Sequence, residues 1–223
     1  MKGGYLGRER SAEIDEVLQK AVTGSSSIGT TTAIDVGKGK AYQTFQCRLQ
    51  PCTCMYAFAG TKHHTAYDTS FHPILEELSD FGRMFVRPGV KPHTVLNRYQ
   101  LELGDYIDFH SDANGLYDPA FPIVSVSFGQ CGVFVVRMKG AKEAQPRRAA
   151  WVLEHGDLLV MTGTLQQHTE HAVLSTKEWP AILDVAGAKR FPWKPLSKKE
   201  QRVLRMALQE TEEVSCRYKV TIR

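Results

Sequence analysis

The spacing of apolar residues changes twice along the chain. Over residues 11–22, Ile14, Val17, Leu18 and Ala21 recur at helical spacing behind Ser11, which reads as an N-cap. Gly24 to Lys40 is rich in Gly, Ser and Thr, has little to bury, and reads as a loop. Short strands are expected from Ala41 to Gly60, where Tyr42, Phe45, Leu49, Met55, Tyr56 and Phe58 carry the apolar weight. Residues 61–70 are polar, contain His63 and His64, and read as an exposed loop with surface histidines. Phe71 to Phe85 has Pro73 in its first turn and Ile74, Leu75, Leu78 and Phe81 or Phe85 on one face, which predicts a second helix ended by Arg87-Pro88-Gly89.

Beyond Pro92 the period shortens to that of strands. Thr94–Leu101, Tyr106–His110, Pro122–Phe128, Val133–Met138, Ala149–Leu153, Leu158–Met161 and His171–Leu174 are short apolar or alternating runs, separated by turns such as Leu103-Gly104-Asp105 and His155-Gly156-Asp157. So many short strands call for a double sheet or barrel, not a parallel α/β sheet. The fold class expected is mainly β with flanking helices (α+β), a double-stranded β-helix or jelly roll with helices 11–22 and 71–85 on one outer face. Residues 175–214 interrupt the strands. They hold Trp179, Phe191 and Trp193 and then a helix over 197–210, with a Ser197-x-x-Glu200 capping box and a stripe of Leu196, Val203, Leu204, Ala207 and Leu208. Cys216 to Arg223 is the last strand. Residues 1–40 are thus expected as an N-terminal helix and loop, and 41–223 as one domain.

Composition adds bounds. With 223 residues, 42% hydrophobic and 23% charged, the chain is large enough to bury its own core. No apolar run approaches membrane-spanning length, and MKGGYLGRER lacks the apolar stretch of a secretory signal, so an intracellular protein without membrane association is expected. Five cysteines, an odd number, do not suggest a disulfide framework; Cys52-x-Cys54 reads as reduced thiols. A net charge of +4 permits an anionic partner if the basic residues cluster. The run 139–148 (KGAKEAQPRR) reads either as a solvated turn or as a phosphate contact.

Candidate chemistry begins with His110-x-Asp112 at the end of one strand. Residues two apart on a strand point to one side, so an imidazole and a carboxylate converge. A distant histidine would complete a 2-His-1-carboxylate triad, which leaves positions open on Fe(II). His171, which begins a strand, is favoured over His168 in the loop, with Glu170 or Gln167 as groups that orient it. In the last strand Arg217, Lys219, Thr221 and Arg223 alternate with Tyr218, Val220 and Ile222. That polar face is either the wet side of an edge strand or a pocket for a small dicarboxylate, since guanidinium forks bind carboxylates bidentately. Asn97 and Tyr99 offer a second polar pair at strand spacing.

In this order, Asn97-x-Tyr99, His110-x-Asp112, the run 122–129 (PIVSVSFG), the run 153–157 (LEHGD), His171 and Arg217-Tyr-x-x-Thr-x-Arg223 resemble the AlkB family of Fe(II)/2-oxoglutarate-dependent dioxygenases. The resemblance spans about residues 47–174 and 215–223 and is nearest to members that repair alkylated duplex DNA. It implies an oxidative demethylase of N-alkylated nucleobases in DNA or RNA, with DNA favoured. Such an enzyme uses O2 and 2-oxoglutarate and releases succinate, CO2 and formaldehyde. It also implies His110, Asp112 and His171 as catalytic iron ligands, and Asn97, Tyr99, Arg217, Thr221 and Arg223 as the 2-oxoglutarate site. Tyr56, Phe58 and Asn114 are implied to contact the substrate base. A monomer is expected, nuclear in a eukaryote and cytoplasmic otherwise. The same oxygenase chemistry on 5-methylcytosine, an RNA methyl mark or a protein side chain is the alternative. Three departures from the family stand out. Asn114 occupies a place where repair members often carry an acid, Lys219 one where the family usually has Asn, and 175–214 contains an insertion.

Overall fold

Each strand expected after Pro92 forms within two residues of its predicted bounds. The computed structural model describes residues 94–112, 122–140, 148–183, 196–210 and 216–222 continuously, and also 9–10, 12–14, 16, 32–33, 39–40, 42–46, 55–58, 61–64 and 77. In chain order the strands are β1 (Thr32–Ala33), β2 (Gly39–Lys40), β3 (Tyr42–Gln46), β4 (Met55–Phe58), β5 (Thr61–His64), β6 (Thr94–Gln100) and β7 (Tyr106–His110). They continue as β8 (Ile123–Gly129), β9 (Gly132–Met138), β10 (Arg148–Leu153), β11 (Leu158–Met161), β12 (Thr169–Val173) and β13 (Cys216–Ile222). One sheet runs β1-β3-β6-β13-β8-β11 and the other β10-β9-β12-β7-β2, with β4 and β5 forming a separate hairpin. All the pairings are antiparallel.

Alternation along β13 sets the layering. Tyr218, Val220 and Ile222 join Leu96, Val124, Val126 and Phe128 in a buried cluster that Ile14 closes from outside. Each fully buried side chain of this kind is worth about 1.5–3 kcal/mol. Arg217, Lys219 and Thr221 take the other face and are buried as well. β13 lies between β6 and β8, so the edge-strand reading of its basic face does not hold. The inner face of β9 and β12 meets these polar groups, with Phe134 5.4 Å from the Lys219 ammonium.

The N-terminal region differs from expectation in three places. Thr32–Ala33 pairs with β3 and Gly39–Lys40 with β7, so the stretch read as a loop extends both sheets; two-residue strands are too short to leave an alternating pattern. Thr61–His64 pairs with Met55–Phe58, so the first part of the expected polar loop is a strand, held by backbone hydrogen bonds its polar composition does not reveal. Helical backbone is already present at Glu9 and Arg10, ahead of the predicted Ser11 cap. The predicted helix over 71–85 lies outside the described residues except at Glu77, which is helical. Arg10 forks onto Glu77, with Nε 3.1 Å from Oε1, and this ties the two helical pieces together.

Residues 175–214 hold a 3-10 turn (Thr176–Glu178), a short helix (Trp179–Leu183) and a long one (Lys198–Glu210). With the single turn Leu165–His168 counted first, these helices are α1 (Leu165–His168), α2 (Trp179–Leu183) and α3 (Lys198–Glu210). The capping box forms: Glu200 N–H donates to Ser197 Oγ at 3.2 Å, and Ser197 N–H to Glu200 Oε2 at 2.8 Å. Leu204 and Ala207 are buried with Trp179 against the second sheet, where α3 contacts β10.

Candidate active site

The register of two neighbouring strands creates the site. β12 pairs with β7 so that His171 lies directly opposite His110, and the register then shifts before Val173. The imidazole centroids are 4.3 Å apart. Asp112, two residues beyond His110, brings its carboxylate between them. Oδ1 is 3.8 Å from His110 Nε2, and Oδ2 is 3.5 Å from His171 Nε2. One ligand atom from each residue lies within 4.8 Å of the other two. Two imidazoles and a carboxylate at this spacing are a donor set that would hold a first-row cation such as Fe(II).

The backbone sets the orientation of the groups. His110 Nδ1 is 2.8 Å from the Asp108 carbonyl, which only accepts; Nδ1 therefore carries the proton and Nε2 presents its lone pair to the centre. His171 is 3% exposed and lies beside Phe134, with ring centroids 5.5 Å apart. His168 is exposed on α1, so of the two candidate histidines it is His171 that joins the cluster. The two groups expected to orient it do otherwise: Gln167 is exposed, and Glu170 faces Arg137 across the strands at 2.8 Å. Gln166, which sequence reasoning passed over, holds Asp112 instead. Its Oε1 accepts from the Asp112 N–H at 3.0 Å. No periodic signal marks Gln166, because α1 is a single turn.

A second polar group lies on the inner face of the first sheet. Arg217 is paired with Tyr99 and Gly129, Lys219 with Asn97 and Ser127, and Thr221 with Val95 and Ser125. The Arg217 guanidinium donates to the Leu153 carbonyl at 2.9 Å, to Ser127 Oγ at 2.9 Å and to the Gln130 carbonyl at 3.3 Å. Gly132 makes room for it, since a Cβ there would lie 2.7 Å from Arg217 Nε. Burial draws the Arg217 pKa below its ordinary value and pushes the Tyr99 phenol above its own. Asn97 Oδ1, the Tyr99 hydroxyl and Arg217 Nε are buried without a hydrogen-bond partner among the described residues. Such atoms are costly unless a polar ligand meets them. Thr221 Oγ1 is 3.1 Å from Ser125 Oγ. Lys219, left open between pocket and solvent, is 6% exposed and stays inside. Ser127 and Gly132 were not singled out from the sequence; they become visible only through the register. Tyr56 and Phe58 lie on β4, opposite His63 and Thr61, whereas Asn114 and Arg223 fall outside the described residues.

The model of the 2OG-Fe(II) oxygenase superfamily matches residues 5–223. The human DNA oxidative demethylase ALKBH2 is 31% identical over 177 residues, covering 75% of this chain and 64% of that protein. The chain belongs to the 2OG-Fe(II) oxygenase superfamily. Mouse ALKBH2, also a DNA oxidative demethylase, is 35% identical over 123 residues, 53% of this chain and 49% of the mouse protein. The chain thus spans under two thirds of the length of these relatives. The solved structure of OsALKBH1 superposes with a TM-score of 0.51 at 17% identity, covering 100% of this chain and 99% of that one, which shows a shared fold. Membership brings Fe(II), 2-oxoglutarate and O2 as cofactors. The residues of this site fit them: two imidazoles and a carboxylate for the metal, a buried guanidinium beside orphaned polar atoms for a dicarboxylate. No helix among the described residues is long and apolar enough to cross a membrane.

Proposed function

We propose that the protein is an oxidative demethylase of N-alkylated nucleobases in nucleic acid, with DNA the favoured substrate. The observation that carries this reading is the convergence of His110, Asp112 and His171 beside the buried Arg217 pocket, in a chain similar to a DNA oxidative demethylase. His110, Asp112 and His171 are assigned to Fe(II). Arg217, Tyr99 and Asn97 are assigned to 2-oxoglutarate, with Thr221 and Arg223 from the same strand. Bound iron with 2-oxoglutarate and O2 supplies the oxidising power, and the chain supplies position and dryness. Arg217 and Tyr99 would hold the dicarboxylate through their buried, unsatisfied polar atoms. The His110 tautomer is set by Asp108, and Phe134 walls off one side of His171. Hydroxylation of an N-methyl group then releases formaldehyde and the unmodified base.

Tyr56 and Phe58 are assigned to stack on the flipped base, and Asn114 to its polar edge. Lys139 supports a nucleic-acid substrate, because this exposed first residue of the basic run donates from Nζ to the Gln166 carbonyl at 2.8 Å, beside the iron carboxylate's anchor. Oligonucleotides with 1-methyladenine or 3-methylcytosine, incubated with Fe(II), ascorbate and 2-oxoglutarate, are expected to yield succinate and formaldehyde in step. Cosubstrate decarboxylation without turnover of any methylated DNA or RNA would move the activity to another substrate.

A further inference from the structure

Asp112 presents a positional problem that the histidines do not share. His110 and His171 sit within strands, and their backbones are fixed by cross-strand pairing. Asp112 lies two residues past the end of β7, where the ladder no longer holds it. Its position must therefore be set by contacts other than cross-strand pairing, and one of them reaches the turn before β12.

We propose that Gln166 is the positioning residue for the metal-binding carboxylate. Its Oε1 accepts the Asp112 N–H at 3.0 Å, across 54 residues of sequence, in a buried bond. Gln166 is itself fixed on every side. It is 7% exposed, and its Nε2 lies 3.4 Å from Met161 Sδ. Lys139 Nζ donates to its carbonyl at 2.8 Å, and α1 is closed by Thr169 Oγ1 donating to the Leu165 carbonyl at 2.6 Å. The same turn leads directly into β12, which carries His171. One amide therefore spans the two ligand-bearing ends: it hangs from the turn before His171 and grips the backbone after His110. Metal ligands depend on such outer partners, and loss of one costs about 10–100-fold in metal affinity.

The role is tested by Co(II) affinity, read from the visible absorption of the full chain without cosubstrate or substrate. Gln166→Met is expected to weaken Co(II) binding by about tenfold or more. In an Asp112→Ala background the same change is expected to have almost no effect, because the residue acts through Asp112 alone. Gln166→Asn, which keeps the amide but shortens the arm, serves if the Met variant does not fold, and should show the same dependence on Asp112. Equal losses in both backgrounds would make Gln166 a general structural residue and overturn the proposal. Unchanged affinity in the native background would overturn it as well.

Discussion

Replacing Arg217 with Met should separate cosubstrate binding from folding. The guanidinium is 1% exposed and donates to neutral acceptors only, with no carboxylate partner among the described residues. A buried cation without an anion costs several kcal/mol, so an apolar side chain of similar length relieves that penalty. Against this gain stand the Leu153 and Gln130 carbonyls and Ser127 Oγ, which lose partners at 2.9, 3.3 and 2.9 Å; an acceptor left buried and unsatisfied costs about 1–3 kcal/mol. The two effects nearly cancel, and the metal-free protein should change in stability by less than about 1–2 kcal/mol. For a chain of this size that is a shift of roughly 2–8 °C or less in either direction. If Arg217 is the anchor for 2-oxoglutarate, as proposed, the balance reverses on cosubstrate binding, because the guanidinium then gains an anion. Truncating one member of a buried, hydrogen-bonded charge pair costs about 2–5 kcal/mol, which is at least thirtyfold in Kd. Calorimetric titration of 2-oxoglutarate into the Mn(II)-loaded protein, set beside thermal unfolding of the metal-free one, reads both quantities. Equal damage to both would refute the reasoning, since it would make Arg217 a core-building residue rather than a ligand for an absent anion.

Gly132→Ala places a Cβ 2.7 Å from Arg217 Nε and 2.8 Å from its Cδ and Cζ, so the guanidinium must move; 2-oxoglutarate affinity should fall about tenfold at a stability cost of about 1–3 kcal/mol, measured by titration and urea unfolding. Lys219→Asn removes a buried cation from the same face and should also weaken 2-oxoglutarate by about tenfold; unaltered affinity would exclude the ammonium from cosubstrate binding. Burial raises the Tyr99 phenol above its ordinary pKa near 10. The contribution of Tyr99 to stability is therefore complete below pH 10 and is lost as pH rises through the folded-state value, because the unfolded chain gives up the proton first. Tyr99→Phe should flatten the alkaline part of a stability-against-pH curve, and an unchanged slope would argue against the buried phenol.

The parts of the fold legible in sequence were those with a period. Tyr106–His110 forms where its alternation put it, Leu158–Met161 where its short apolar run did, and α3 starts at its capping box. Elements below one period left nothing to read: β1 and β2 are two residues each, and α1 is a single turn. The site divides in the same way. His110-x-Asp112 and His171 were named from the sequence, although His-x-Asp alone is a weak signal and it took the company of the other motifs to select them; the fold brings one ligand atom of each together. Their supports were not named. Gln166 reaches Asp112, and Ser127 reaches Arg217, across contacts of 54 and 90 residues that only the folded register brings about.

The inner face of β13 shows why the polar alternation was the stronger of the two signals. A central strand is expected to bury apolar groups on both sides, and on its outer side β13 does so with Tyr218, Val220 and Ile222. On its inner side it buries Arg217, Lys219 and Thr221, and neighbouring strands add Asn97, Ser125 and Ser127. The groups that would satisfy one another are too few. Thr221 meets Ser125 and Ser127 meets Arg217, which leaves Asn97 Oδ1, the Tyr99 hydroxyl and Arg217 Nε without hydrogen-bond partners among the described residues. A fold that served stability alone would fill this space with side chains like those on the outer face. Here the conflict between strand position and residue type leaves half of a polar network, one that a dicarboxylate of the kind proposed above would complete.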